Sequence, residues 1–267
     1  MILSNIHTHS VFSDGKATLR EMLERAVALG FVSFGASDHS DTPCDPSYCM
    51  KKEAYAAYLA EAGALKAAYA DRIEYFCGIE KDAQSEIDPA SFDYVIGSVH
   101  YLIGRDGTCY AVDHALDQQM AFIRNEGGGD KLELARRYFD EVVRHAETGL
   151  FSIQGHFDVI TKFGLFDDAG PAYEKIALDA LDAVLDRVPY LEVNTGAVYR
   201  GLRQAPFPAA FLLRRARERG GKLILSGDSH ALPAVDFFFR EEERALKDLG
   251  FTSLYRLRKS GFEEVSI

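Results

Sequence analysis

Residues 2–39 read ILSNIHTHSVFSDGKATLREMLERAVALGFVSFGASDH. An apolar run, Ile2–Ile6, comes first. In the stretch behind it, Leu19, Met22, Leu23, Ala26 and Val27 keep the i, i+3, i+4 spacing of a helix packed on one face. Thr18 and Glu21 have capping-box spacing at its start, and Gly30 stops it. Phe31–Ala36 is a second apolar run, and it leads into Asp38-His39. Strand, helix, strand in so short a span is a βαβ unit, whose crossover joins parallel strands.

The alternation continues along the chain. Further apolar runs at Tyr75–Ile79, Tyr94–Val99, Phe151–Ile153, Tyr190–Val193 and Lys222–Leu225 bring the candidate strands to seven. Lys51–Ala70 reads as helix. Ala135, Tyr138, Phe139, Val142, Val143 and Ala146 repeat the helical spacing behind Asp130 and Glu133. Ala177, Ala180, Leu181, Val184 and Leu185 do so behind Pro171, and a further helix runs from near Pro208 to Gly220. No linker interrupts the pattern. Residues 1–267 therefore read as one α/β domain, a closed or nearly closed barrel, with an open doubly wound sheet as the rival. Thr108–Asp130 is poorly patterned, and Gly127-Gly128-Gly129 suggests an exposed loop there. Two β-like runs, Leu254–Leu257 and Glu263–Ile267, suggest a closing hairpin.

Composition narrows the function. The chain has 267 residues, 47% of them hydrophobic and 27% charged, enough for a large core. Its net charge of −11 argues against a broad nucleic-acid or anionic-membrane interface, leaving room for a local basic pocket that takes one small anion. No apolar stretch approaches the ~18 residues of a membrane helix. The first residues lack the basic and apolar regions of a signal peptide, so the expected compartment is the cytoplasm. Cys44, Cys49, Cys77 and Cys109 form no Cys-x-x-Cys pair and are expected to be reduced thiols; a metal role for Cys44 and Cys49 is the weaker alternative.

The histidines carry the chemistry. Of eight, six stand just beyond a candidate strand: His7 and His9, His39, His100, His156 and His230. Glu80 and Asp228 share that placement. In a parallel barrel all strand C-termini open onto one face, so these side chains converge. Imidazole and carboxylate donors suit Zn, Fe or Mn, and the pattern reads as a polynuclear metal site. His7 and His9, like Asp228 and His230, have the i, i+2 spacing that turns two side chains to one side of a strand. Glu80 could bridge two ions through its two oxygens. A single histidine at a strand end is more often a hydrogen-bonded structural residue; six at equivalent positions are not. His114, in the unpatterned segment, and His145, within a helix, are given no functional role.

These residues resemble the polymerase and histidinol phosphatase (PHP) superfamily. The resemblance rests on His7-Thr8-His9-Ser10 with Ser13-Asp14-Gly15, then Ser37-Asp38-His39, Gly78-Ile79-Glu80, Gly97-Ser98-Val99-His100, Gly155-His156-Phe157-Asp158 and Gly227-Asp228-Ser229-His230. Lys162-Phe163-Gly164, Glu192-Val193-Asn194-Thr195 and Arg200 are similar to the monofunctional histidinol-phosphate phosphatases within it. The resemblance implies a distorted (β/α)7 barrel and three divalent ions. His7, His9, Glu80 and Asp228 would hold the first, Glu80, His100 and His156 the second, and His39, His230 and Asp14 the third.

The implied reaction is hydrolysis of a small phosphate monoester, L-histidinol phosphate in the first instance, by a hydroxide bridging two ions. Such ions lower the pKa of water from 15.7 to about 7 and neutralise charge on the phosphoryl oxygens. Asp158 is one candidate acid for the leaving group; a metal-bound water, or no acid, serves equally. Arg200, Lys162 and Arg203 follow barrel strands and would meet the phosphate dianion. Glu192 would either meet the ammonium or imidazolium of the substrate or orient a ligating histidine. Asp38 invites that second reading too. The rivals are a phosphoesterase for nucleotides or other small phosphates and a metal-binding scaffold without activity. The oligomeric state is not legible.

Overall fold

The computed structural model describes residues 2–167 and 169–267. Its strands are β1 (Ser4–Asn5), β2 (Ser33–Ala36), β3 (Glu74–Asp82), β4 (Tyr94–Ser98), β5 (Tyr101–Ile103), β6 (Cys109–Ala111), β7 (Ile153–Gln154), β8 (Tyr190–Asn194), β9 (Lys222–Ser226), β10 (Ser253–Arg258) and β11 (Gly261–Ser266). The helices are α1 (Leu19–Ala28), α2 (Tyr55–Ala68), α3 (Leu116–Asn125), α4 (Lys131–Glu147), α5 (Gly170–Leu185), α6 (Gly196–Tyr199), α7 (Ala210–Glu218) and α8 (Phe239–Asp248).

Seven parallel strands form one sheet in the order β1-β2-β3-β4-β7-β8-β9, and these are the seven runs that the sequence marks. The first and last strands meet at one isolated parallel bridge, Thr8 to Ser229, through His9 N–H to Ser229 O (2.9 Å) and Ser229 N–H to His7 O (3.1 Å). The sheet is thus a nearly closed barrel whose seam is joined at the C-terminal rim.

Alternation along the strands makes two apolar layers. Inward-facing Ile6, Phe76, Tyr94, Ile96, Ile153 and Ile224 fill the barrel. Outward-facing Phe34, Tyr75, Ile79, Leu191 and Leu223 pack under the helices, where α1 contributes Leu19, Met22, Leu23 and Ala26. Full burial of each such side chain is worth roughly 1.5–3 kcal/mol, so the two layers dominate stability. Tyr94 inside the barrel donates to Ala36 O (2.9 Å) and needs glycine beside it: a Cβ at Gly78 would lie 2.3 Å from its ring.

The tail does form an antiparallel hairpin, β10–β11. It adds no strand to the barrel. Leu257, with Tyr255 and Phe262 beside it, packs against the inner layer and so plugs the end opposite the rim. The capping box at Thr18 is present in both directions. Thr108–Asp130 departs from the expected loop: it holds β6, which pairs with β5, and α3. Its glycines are used in the turn to α4, where Gly128 and Gly129 have φ of 60° and 87°. The cysteine expectation is corrected. Cys44 and Cys109 form a disulfide with Cα atoms 5.5 Å apart, while Cys49 and Cys77 are free. The partners are 65 residues apart in sequence, and the β5–β6 hairpin brings them together beside the loop after β2. Among the described residues no helix is long and apolar enough to cross a membrane.

Candidate metal centre

All six strand-end histidines point into one space at the rim, and five of them surround Glu80. From Glu80 Oε2 the separations are 2.7 Å to His39 Nδ1, 3.3 Å to His7 Nε2 and 3.6 Å to His9 Nε2. From Oε1 they are 2.8 Å to His156 Nε2 and 3.3 Å to His100 Nε2. Glu80 is placed by β3, which runs on past it to Asp82, and the backbone ties it to β2: Glu80 N–H donates to Asp38 O and Ser40 N–H to Glu80 O. Asp228 stands across the seam, its Oδ1 3.1 Å from His9 Nε2. Imidazoles of His9, His39 and His230 stack, with His9 centroids 4.2 Å from His39 and 4.1 Å from His230.

Asp14 completes the outer side, with Oδ1 3.2 Å from His230 Nε2 and 3.7 Å from His39 Nε2. The turn that presents it is organised by Asp38. Its Oδ1 accepts the N–H groups of Ser10 (2.8 Å) and Ser13 (3.1 Å), and its Oδ2 the Ser10 hydroxyl (2.9 Å). Asp38 therefore shapes the Asp14 turn; its hydrogen bonds go to serines, not to an imidazole. That turn passes so close to the strand that a Cβ on Gly15 would lie 2.3 Å from His9 O.

Burial alone would raise the Glu80 carboxyl, but His39, His7 and His100 hold it well below the ordinary range. Burial would likewise raise Asp228, and Arg200 with the nearby histidines holds it down. His9 goes the other way: burial, with His230 and His39 beside it, lowers it to about 3, so its ring is neutral.

Within hydrogen-bond geometry, His7 Nε2, both ring nitrogens of His9 and Glu80 Oε2 have no partner although buried. An unsatisfied buried polar atom costs about 1–3 kcal/mol. Lone pairs left bare and convergent are what a cation would satisfy, and imidazole with carboxylate is a donor set for Zn, Fe or Mn. Four groups have ligand atoms all within 4.8 Å of one another: His9, Asp14, His39 and His230; His7, Glu80 and His156; His7, His9 and Asp228; and His39, Glu80 and His100.

These groups open onto a cavity of about 420 Å³, whose lining includes Asp14, Lys162, Arg200 and Asp228. Arg200 reaches it from the end of α6. Lys162 Nζ donates to Asp113 O at 2.7 Å. Three expected residues lie elsewhere. Glu192 is buried behind the histidines, bonded to His7 Nδ1 and accepting the His156 N–H (2.6 Å) and Asn194 Nδ2–H (3.0 Å). It orients histidines and does not face the cavity. Asp158 and Arg203 line a separate cavity of about 230 Å³. Asp158 turns away because its Oδ2 accepts the Ala209 N–H at the start of α7 (3.0 Å), and Arg203 because its Nη1 donates to Thr161 Oγ1 (2.7 Å).

The sequence reading missed Tyr48, Tyr101, Asp113 and Asp82. Tyr48 and Tyr101 line the rim cavity from the two segments that the disulfide joins. His114, given no role, is exposed at the same mouth. His145 is a core residue as expected: its Nε2–H donates to Lys81 O (3.2 Å) and its ring lies 4.6 Å from Phe151.

The sequence pattern of the PHP domain matches residues 5–196, most of the chain. The chain belongs to the PHP domain family. The chain is 32% identical to a Deinococcus radiodurans protein named "Probable histidinol-phosphatase", over 96% of both chains. It is 24% identical to the Lactococcus lactis "Histidinol-phosphatase", over 97% of this chain and 92% of that protein. The crystal structure of a Lactococcus lactis histidinol phosphate phosphatase, complexed with zinc, L-histidinol and phosphate, has the same fold. It superposes with a TM-score of 0.73 at 22% identity, covering 97% of this chain and 98% of that one. The PHP barrel thus accounts for both the strand order and the crowding of histidines at one rim.

Proposed function

We propose that this chain hydrolyses L-histidinol phosphate to L-histidinol and phosphate, using divalent cations held at the barrel rim. One observation carries the proposal: a single buried carboxylate, Glu80, stands within 3.6 Å of five imidazoles, with its own Oε2, His7 Nε2 and both His9 ring nitrogens left without a hydrogen-bond partner. The named relatives supply the substrate.

The proposed complement is three ions. His7, His9, Glu80 and Asp228 would hold the first, Glu80, His100 and His156 the second, and Asp14, His39 and His230 the third. Zinc is the ion in the Lactococcus relative, and the donors here suit iron and manganese as well. Such cations lower the pKa of water and neutralise charge spreading over a phosphoryl group. The chain's own residues prepare the place. Glu192 holds the His7 ring by its Nδ1, leaving Nε2 free to face inward. Arg200 offers a planar fork and Lys162 a point charge to the incoming dianion. Tyr48 and Tyr101 line the same cavity and offer aromatic faces to the imidazole of the substrate.

The test is phosphate release from L-histidinol phosphate, set against nucleoside monophosphates and sugar phosphates, together with elemental analysis of the same preparation. The expected result is bound divalent metal and a clear preference for histidinol phosphate. Preference for a nucleotide would transfer the site to the rival substrate class. Full metal occupancy with no turnover of any monoester would leave only the scaffold.

A further inference from the structure

Asp82 ends β3 two residues beyond Glu80, on the same side of the strand, and its side chain is buried at 2% exposure. Its Oδ2 accepts two bonds from one residue, His100: the Nδ1–H at 3.0 Å and the backbone N–H at 3.1 Å. Its Oδ1 accepts the Gln84 N–H at 2.8 Å, and the Ser40 hydroxyl donates to neither oxygen but pairs with the Asp82 backbone N–H at 3.0 Å. Both carboxylate oxygens thus face donors. No other imidazole comes within 4 Å of this carboxylate among the described residues.

Resting on the metal-centre reading above, we propose that Asp82 is a positioning residue that fixes His100 in the Nδ1–H tautomer and so aims the Nε2 lone pair at the cation shared with Glu80 and His156. A proton on Nδ1 leaves Nε2 bare, 3.3 Å from Glu80 Oε1 and on the cation side of the ring. An imidazole with its other nitrogen bonded to a carboxylate is also the more basic ligand. The effect is confined to one position. The group formed by His9, Asp14, His39 and His230 contains no atom that Asp82 touches.

Asp82→Asn is the informative change because an amide has only one acceptor oxygen. Three N–H donors point at this side chain from two directions. The two His100 donors hold the amide oxygen, so the NH2 is turned onto the Gln84 N–H and that bond is lost. The carboxylate charge that makes the imidazole the more basic ligand is lost with it.

The experiment is a zinc titration of metal-free protein against a competing chromogenic chelator, for wild type, Asp82→Asn, His100→Ala and the double variant. Ring-nitrogen NMR of the metal-free wild type accompanies it. The expected result is one zinc equivalent weakened about 10–100-fold in Asp82→Asn with the others unchanged. Metal-free Tm should be preserved, and the double variant should match His100→Ala alone. NMR should show the neutral His100 ring carrying its proton on Nδ1 in wild type. Unchanged zinc affinities, uniform weakening of every equivalent, or further loss on adding Asp82→Asn to His100→Ala would overturn the proposal. So would a neutral wild-type ring protonated on Nε2 in place of Nδ1, a readout that stands even if the variant fails to fold. Wild-type protein that binds no zinc at all would instead remove the metal-centre reading beneath it.

Discussion

Arg200 Nη2 lies 3.0 Å from Asp228 Oδ2, on the opposite oxygen from the one that faces His9. Asp228 is held in a left-handed backbone conformation, φ 44°, which a non-glycine residue adopts only at a cost. The arginine steadies that carboxylate while lining the cavity at the barrel rim. Replacing it with lysine retains charge but loses the planar fork. Arg200→Lys is expected to raise KM for histidinol phosphate by about tenfold, as the loss of one charged hydrogen bond would. Arg200→Ala should do more and also lower kcat. Steady-state kinetics check this, and an unchanged KM would remove Arg200 from phosphate binding.

Gly196 begins α6 directly opposite this pair. A Cβ there would sit 2.9 Å from both Cβ and Oδ2 of Asp228 and 3.1 Å from Arg200 Nη2. Gly196→Ala must therefore displace the carboxylate or the guanidinium. The expected stability cost is about 1–3 kcal/mol, typical of one extra methyl in a packed site. Loss of kcat/KM should exceed what that cost explains in protein still folded at the assay temperature. A melt paired with kinetics decides; full activity would mean that Asp228 tolerates movement.

His145, on α4, meets β3 one residue beyond Glu80, and the two should behave oppositely. His145→Ala removes a ring packed on Phe151 and a bond to Lys81 O, for a loss of roughly 2–4 kcal/mol in stability. Turnover and metal content per folded molecule should stay at wild-type levels. Glu80→Ala should abolish phosphate release and deplete bound metal. If both variants lost metal alike, the helix histidine would belong to the centre after all.

Glu242 on α8 gives a pH signature. Burial raises its carboxyl from 4.5 to about 7. The unfolded chain releases this proton near pH 4.5 and the folded chain only near 7. Its stabilising contribution is therefore complete below pH 4.5 and is lost as pH rises through 7, a change of roughly 3 kcal/mol at 1.4 kcal/mol per unit. Glu242→Gln should melt at nearly the wild-type temperature at pH 4.5 and several degrees higher at pH 8. A Tm difference that does not change with pH would show that the carboxyl is solvated.

The parallel strands were legible because each is a short apolar run ahead of a polar strand end, and the helices because their apolar spacing is regular. The cluster was legible for the same reason: a barrel brings every strand end to one rim, so position along the chain predicts position in space. What escaped depended on direction. Asp158 and Arg203 follow the right strands, yet their side chains are claimed by Ala209 N–H and Thr161. Glu192 sits within the right strand, β8, and so lies beneath the histidines, where only its hydrogen bonds reveal it. Asp82 did leave a signal, since Glu80-x-Asp82 repeats the spacing of His7-x-His9. The disulfide left none, because nothing in the sequence tells that the β5–β6 hairpin folds back on the loop carrying Cys44.

The join between the first and last strands bears on when this protein becomes competent. His7 and His9 are among the earliest residues made, while Asp228 and His230 are made some two hundred and twenty residues later. The two backbone bonds at Thr8 and Ser229 bring them side by side. A nascent or truncated chain that stops before β9 therefore offers only part of the ion cage. On the proposed function, loading with metal would belong to the finished polypeptide, and an ion lodged across that junction would act as a clasp on the circle of strands.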